Sequence, residues 1–363
     1  MNPPGTDGGD GSMLKLFCVA VGAFALSLAA SAGAQTRLFS DTSEIAITLS
    51  GPLTTIQRAA ARSTEPRPGA VTLAGATPQT FNVQIGARGY TRRAGGICSF
   101  TPLRLDFGGD TLRGTLFQGQ NKLKLVAPCR SGDSYQQLVV LEYLAYRLHN
   151  EMTPLSFRVR PVRVTYHDTD NVRGRDDTRW GFFIEDDTDV ARRNHRVKLE
   201  VQSGDVAAAG LDPQAATRAA LFEYMISNLD WDMVAGHAGD PCCHNHKLIG
   251  AAATARTGVV PVPYDFDYSG LVSAPYAIPP EGMRIRDVRT RYFRGYCRFN
   301  DQLPAVLADV RARRAAFYNV IDSEARLDAG HKRTARAFLD TFFAVLDDPQ
   351  RVASELTNHC RRG

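Results

Sequence analysis

Apolar and polar residues alternate through much of the first half of the chain, and then the spacing changes. Phe81-Asn82-Val83-Gln84-Ile85, Leu103-Arg104-Leu105-Asp106-Phe107 and Leu123-Lys124-Leu125-Val126 alternate residue by residue, with Gly and Pro between the runs. A period of two buries one face of a strand, so residues 70–126 are expected to be β. Ile45 to Leu49 is a further expected strand, followed by a polar stretch rich in Pro and Arg. From Tyr135 to Asn150 the period becomes helical: Leu138, Leu141, Leu144, Ala145 and Leu148 fall on one face. Two strand-like runs follow, Phe157 to Tyr166 and Trp180 to Ile184. Asp212-Pro213 caps and opens a second helix, because a proline in the first turn forfeits no hydrogen bond. That helix is expected to end at Asn228. Amphipathic helices at Leu303 to Ile321 and about Thr334 to Leu346 close the chain. The order is a β-rich first half and a helical second half.

The chain has 363 residues, room for two domains or one two-lobed domain. It is 44% hydrophobic and 22% charged, ordinary for a globular protein, and its net charge of +5 includes no long Lys/Arg block. Nucleic acid is therefore not an expected partner. The start reads as a targeting segment, with Met13 as the initiator, Lys15 as the positive charge, Leu16 to Ala30 as the apolar core and Ala32-Gly33-Ala34 as the cleavage site. No stable membrane span is expected after cleavage, and the localisation is expected to be periplasmic or secreted. Cys18 leaves with that segment. The six remaining cysteines, 98, 129, 242, 243, 297 and 360, are expected to form disulfides, with Cys98–Cys129 the first choice because both lie in the β-rich half.

The chemistry-bearing residues gather between Asn228 and Gly270. The stretch reads N-L-D-W-D, then H-N-H-K-L-I, then V-P-Y-D-F-D-Y-S-G. An Asp past a helix end, an Asn opening an apolar run and an Asp closing the next are arranged as in a phosphoryl-transfer site. One Asp orients the attacking hydroxyl, and the Asn and second Asp hold metal ions. Asp230 is favoured over Asp232 for the first role. Asn245, Asp265 and Asp267 supply amide and carboxylate oxygens of the kind Mg²⁺ takes. Such a site also needs a strand Lys steadied by a helix Glu. Lys124 and Glu142 fit, although alternation leaves open which of Lys122, Lys124 and Arg104 faces the nucleotide. Glu185 either faces the nucleotide or belongs to an acidic turn. His237, Cys242, Cys243, His244 and His246 have zinc-type donors, but an oxidising compartment favours disulfides from Cys242 and Cys243 to Cys297 or Cys360.

These segments together resemble the CotH kinase-like family. Arg88-Gly89-Tyr90-Thr91-Arg92-Arg93 is similar to its R-G-N-S-S-R-type segment, and Trp180-Gly181-Phe182-Phe183-Ile184-Glu185 resembles its G-L-Y-x-x-x-E strand. N-L-D-W-D, H-N-H and P-Y-D-F-D match its catalytic segments. Tyr90 and Thr91 depart from the family's Asn and Ser. The resemblance implies an α+β, bilobal atypical protein-kinase-like fold with a β-rich N-terminal lobe and a helical C-terminal lobe. The expected divisions are 1–34, 35–80, 81–185 (small lobe) and 186–363 (large lobe). It implies ATP with Mg or Mn, phosphoryl transfer to a protein hydroxyl, Asp230 as catalytic residue, and Asn245 and Asp265 at the metal, to which the residue chemistry adds Asp267. Lys124, Glu142, Glu185 and Arg93 are implied at the nucleotide. The alternative is an inactive binding or structural protein of the cell envelope.

Overall fold

The alternating runs become strands of a closed barrel. The computed structural model describes residues 1, 36–94, 96–108, 112–171, 174–236 and 241–362. The expected targeting segment, Cys18 and His237 lie outside them. In chain order the elements are β1 (Ile45–Gly51), α1 (Leu53–Ala59), β2 (Arg67–Leu73), β3 (Gln79–Ala87), β4 (Leu103–Phe107), β5 (Lys122–Val126), α2 (Asp133–Met152), β6 (Val159–Asp168), β7 (Asp177–Ile184) and α3 (Asp187–Arg193). There follow β8 (Val197–Lys198), α4 (Pro213–Ile226), β9 (His246–Gly250), β10 (Val260–Pro263), α5 (Leu303–Ala312), α6 (Arg314–Asp322), α7 (Ala329–Leu346) and α8 (Pro349–Val352).

The first seven strands close in the order β1-β2-β3-β4-β5-β7-β6. All neighbours are antiparallel except β1 and β6, which run parallel, with Ile45 opposite Val162 and Leu49 opposite Tyr166. The inward residues, among them Leu49, Val71, Ile85, Leu105, Leu123, Leu125, Val162, Val164 and Phe183, form one apolar core. Gly181 lets β5 approach β7, since a Cβ there would lie 2.5 Å from the Val126 carbonyl oxygen. A second core packs α2 and α4 with α5, α6, α7 and the three-stranded sheet β10-β9-β8.

This architecture corrects the bilobal, protein-kinase-like expectation. The chain forms a closed, mixed seven-stranded barrel with helices and a small three-stranded sheet. The stretch 35–80 contributes β1 and β2 to the same barrel as the strands after residue 81. The barrel closes through a pairing between strands more than a hundred residues apart, which local periodicity does not reveal. Local structure also differs in detail. Leu303 to Ile321 is two helices joined at Arg313, and the polar stretch after β1 holds α1.

Two disulfides staple the chain. Cys98–Cys129 forms as expected, with Cα atoms 4.6 Å apart. Cys297 bonds to Cys360, Cα atoms 4.9 Å apart, and Cys242 bonds to Cys243, so neither of the adjacent pair reaches Cys297 or Cys360. Among the described residues no helix is long and apolar enough to cross a membrane.

Candidate functional site

Asp230, Asn245, Asp265 and Asp267 line one cleft of about 520 Å³. Its other walls carry Arg88, Arg92, Arg104, Lys122, Lys124, Asp186, Asp187, Lys198 and Lys247.

The end of α4 sets the first of these residues. Ser227 turns left-handed (φ 52°) and the Asn228 N–H donates to the Glu223 carbonyl at 2.8 Å, which stops the helix. Asn228 then accepts from the Asp230 N–H through its side chain (3.2 Å) and from the Trp231 indole through its carbonyl (2.9 Å). This fixes N-L-D-W-D and points its two aspartates to different places. Asp232 caps Val234 and Ala235 and meets Arg361 at 2.9 Å. Asp230 faces the cleft, where His244 Nε2 lies 2.6 Å from one oxygen and Asn245 Nδ2 donates to the other at 3.1 Å. Burial alone lowers the His244 pKa, but the bond to Asp230 outweighs it and the pKa is raised.

Asn245 (φ 50°) and Asp265 (φ 67°) both adopt the left-handed backbone, a conformation that Asn and Asp tolerate better than other residues with a side chain. Each is held there by partners. The Asn245 carbonyl accepts from the Tyr264 N–H at 3.0 Å, and the Asp265 N–H donates to the Tyr146 hydroxyl at 2.9 Å.

The cleft wall formed by Arg92 and Asp267 continues inward to a second, buried set. The Arg92 guanidinium stands 3.9 Å from both Glu142 Oε2 and Asp267 Oδ2, and the Tyr276 hydroxyl donates to Asp267 at 3.0 Å. Burial raises the Glu142 carboxyl well above its usual range, with Asp267 adding to the effect. Burial and the neighbouring Asp265 push Asp267 up to about 6. Burial opposes the charge on Arg92, but Tyr276, Asp267 and Glu142 raise its pKa further.

The expected Lys124–Glu142 pair is therefore replaced. Glu142 meets Arg92, and the acid that most favours protonated Lys124 is Asp187. Register explains which strand cations face the cleft. Lys124 opposes Arg104 and Lys122 opposes Asp106 on the outer barrel face, while Leu103, Leu105, Leu123 and Leu125 point inward. Lys124 stacks over Phe157 and Tyr264, and its burial lowers its pKa to about 8. Burial alone would raise the Asp187 pKa, but Lys124 and Lys198 outweigh it and lower it.

Glu185 and Arg93 also do other work than expected. Glu185 is 1% exposed, accepts from the Arg158 N–H at 2.9 Å and pairs with Arg193 at 3.0 Å, so it locks α3 to the start of β6. Arg93 donates to the carbonyls of Gly89 and Ala60. The cleft-facing members of those segments are their neighbours Asp186, Asp187, Arg88 and Arg92. Arg88, the first residue of the Arg-Gly segment, has its Nε buried with no hydrogen-bond partner among the described residues.

The Cys/His loop does not form a zinc site from its described residues. Its thiols are joined to each other, and His246 lies fully buried 3.9 Å from Glu223. Burial lowers His246 to about 3 and raises Glu223 well above its usual range. No group of three or more His, Cys, Asp or Glu converges as a metal cage among the described residues. Another cavity of about 610 Å³, between β6, β7, α2 and α6, holds arginines and glutamates such as Arg163 with Glu44 and Arg326 with Glu324, and none of the sequence candidates.

The donor set suits an ion shared with a ligand. The Asp265 carboxylate has no hydrogen-bonding partner among the described residues, and Asn245 uses its amide nitrogen on Asp230, which leaves the amide oxygen for the cleft. Mg²⁺ is commonly held by one or two such oxygens plus substrate phosphates and water. Compared with known proteins, the chain matches no family model and no curated protein.

Proposed function

We propose that the protein is an exported, ATP-dependent phosphotransferase that uses Mg or Mn and acts on a hydroxyl of a protein in the envelope or outside the cell. The observation that carries this reading is the single cleft shared by Asp230, Asn245 and Asp265 with Arg88 and Lys124. The Asp265 carboxylate and the Asn245 amide oxygen would hold a divalent ion there, and the ion would supply positive charge against the phosphates. Lys124 and the unpartnered Arg88 Nε supply the cationic grip on phosphate. Asp230 orients the acceptor hydroxyl and takes its proton. Export is supported by the Cys98–Cys129 and Cys297–Cys360 bonds, which suit an oxidising compartment.

One observation favours a second reading, a nucleotide-binding envelope protein without turnover. Both Asp230 oxygens are already engaged, one by His244 and one by Asn245. Mass spectrometry separates the two. The protein is incubated with ATP, Mg²⁺ or Mn²⁺ and an extract of exported proteins, and added phosphate on a protein hydroxyl is expected. Asp230→Ala should lower that transfer by about 10²–10⁴-fold and leave Mg–ATP affinity within about twofold. Binding without any added mass selects the second reading, and added AMP redefines the transfer.

A further inference from the structure

The six described cysteines form three disulfides, and one of these cannot act as the other two do. Cys98–Cys129 and Cys297–Cys360 join residues 31 and 63 positions apart. Cross-links of that reach remove chain entropy from the unfolded state. Cys242 and Cys243 are adjacent, so their bond closes no loop and removes almost no such entropy. It ties two consecutive side chains into a small ring and fixes the backbone directly ahead of His244 and Asn245.

That backbone carries the site. The Cys242 N–H donates to the Val201 carbonyl (3.0 Å), the His244 N–H to Ala235 (2.8 Å) and the Asp232 N–H to the His244 carbonyl (2.9 Å). From this anchored turn the His244 ring and the Asn245 amide reach opposite oxygens of Asp230. Cys243 lines the cleft beside them while both cysteines are otherwise buried, 7% and 4% exposed, so the cleft is the side from which a ligand or a thiol meets the bond.

We infer that Cys242–Cys243 is a redox-modifiable site whose co-reactant is a dithiol and whose state sets the competence of the cleft. This rests on the reading of the cleft as a nucleotide site. A dithiol's thiolate attacks the Cys243 sulfur, forming a mixed disulfide and releasing Cys242 as a thiolate that takes a proton. The reductant's second thiol then displaces the Cys243 sulfur and leaves as a cyclic disulfide. Two electrons and two protons pass to the protein, and an oxidised dithiol reverses the change. The opened pair frees the turn, and Asn245 loses its fixed place beside Asp230. Because coupling between two sites is reciprocal, a nucleotide in the cleft protects the bond from reduction.

The test titrates the whole protein with dithiothreitol. It follows thiols at each cysteine by alkylation and peptide mapping, amide exchange across residues 241–247, and Mg–ADP affinity by calorimetry. Cys242 and Cys243 should be alkylated before the two long-range pairs. In that species exchange across the turn should rise, Mg–ADP affinity should fall by about tenfold or more, and Mg–ADP should slow the reduction. The double variant Cys242→Ser/Cys243→Ser should match the reduced form and ignore dithiothreitol. Alkylation at both positions before reductant is added, or reduction that changes neither exchange nor affinity, overturns the inference. If Mg–ADP binds in no redox state while exchange still rises on reduction, the nucleotide reading falls and the redox-controlled turn stands.

Discussion

Asp265 and Asp267 flank a single phenylalanine and stand in opposite surroundings. Asp265 faces the cleft with no side-chain donor among the described residues, on a left-handed backbone held by Tyr146. Asp267 is 5% exposed and fastened by Tyr276 and Arg92. Asp230 and Glu142 differ likewise in exposure, since Asp230 lines the cleft and Glu142 is buried, although His244 and Asn245 engage both Asp230 oxygens. One set of acids is presented to a ligand, and the other is consumed by the protein. Spacing in the chain places both sets at one site, and burial divides the labour between them. The buried set orders the wall behind the cleft and the open set supplies its chemistry.

Removing the charge that joins the buried set should have the largest effect. Arg92→Leu leaves Glu142 and Asp267 facing each other without a counter-charge, and loss of one partner from a buried charged cluster costs about 3–5 kcal/mol. Urea unfolding should show it, and a loss below about 1 kcal/mol would mean that the acids are already neutral without Arg92. Tyr276→Phe removes only the 3.0 Å bond to Asp267. It should cost about 1–3 kcal/mol in the same assay and weaken nucleotide binding less than any change in the open set. The open set should answer to pH instead. The Lys124 pKa lies near 8, so its ammonium is lost as pH rises through that value. Mg–ADP affinity should fall by up to tenfold per unit as pH rises above about 8. Lys124→Met should flatten that limb, and an unchanged limb in the variant would remove Lys124 from the grip.

Much of the secondary structure was legible because it is local. Leu103–Phe107 is a strand over the very residues whose alternation marks it, and Asp212 caps α4 through the Ala215 N–H as its position before Pro213 implies. The barrel was not legible, because its closure depends on β1 lying beside β6, a long-range parallel pairing that no local period encodes. The site was legible as a set of types in order, and Asp230, Asn245 and Asp265 do share a cleft. The pairings were not. Lys124 and Glu142 each have the right residue type, but Arg92 reaches Glu142 and Asp187 serves Lys124. Glu185 and Asp187 differ by two positions, and the turn into α3 sends one inward and the other to the cleft. Side-chain direction at a strand end is set by tertiary contacts, here Arg158 and Arg193.

The central claim is that the open acids hold a metal–nucleotide pair and the buried acids do not. It is tested most directly by Mg–ATP calorimetry on Asp265→Ala beside its unfolding free energy. The account predicts that Mg-dependent ATP binding disappears while stability stays within about 1 kcal/mol of the parent protein. Parental affinity in Asp265→Ala would contradict it.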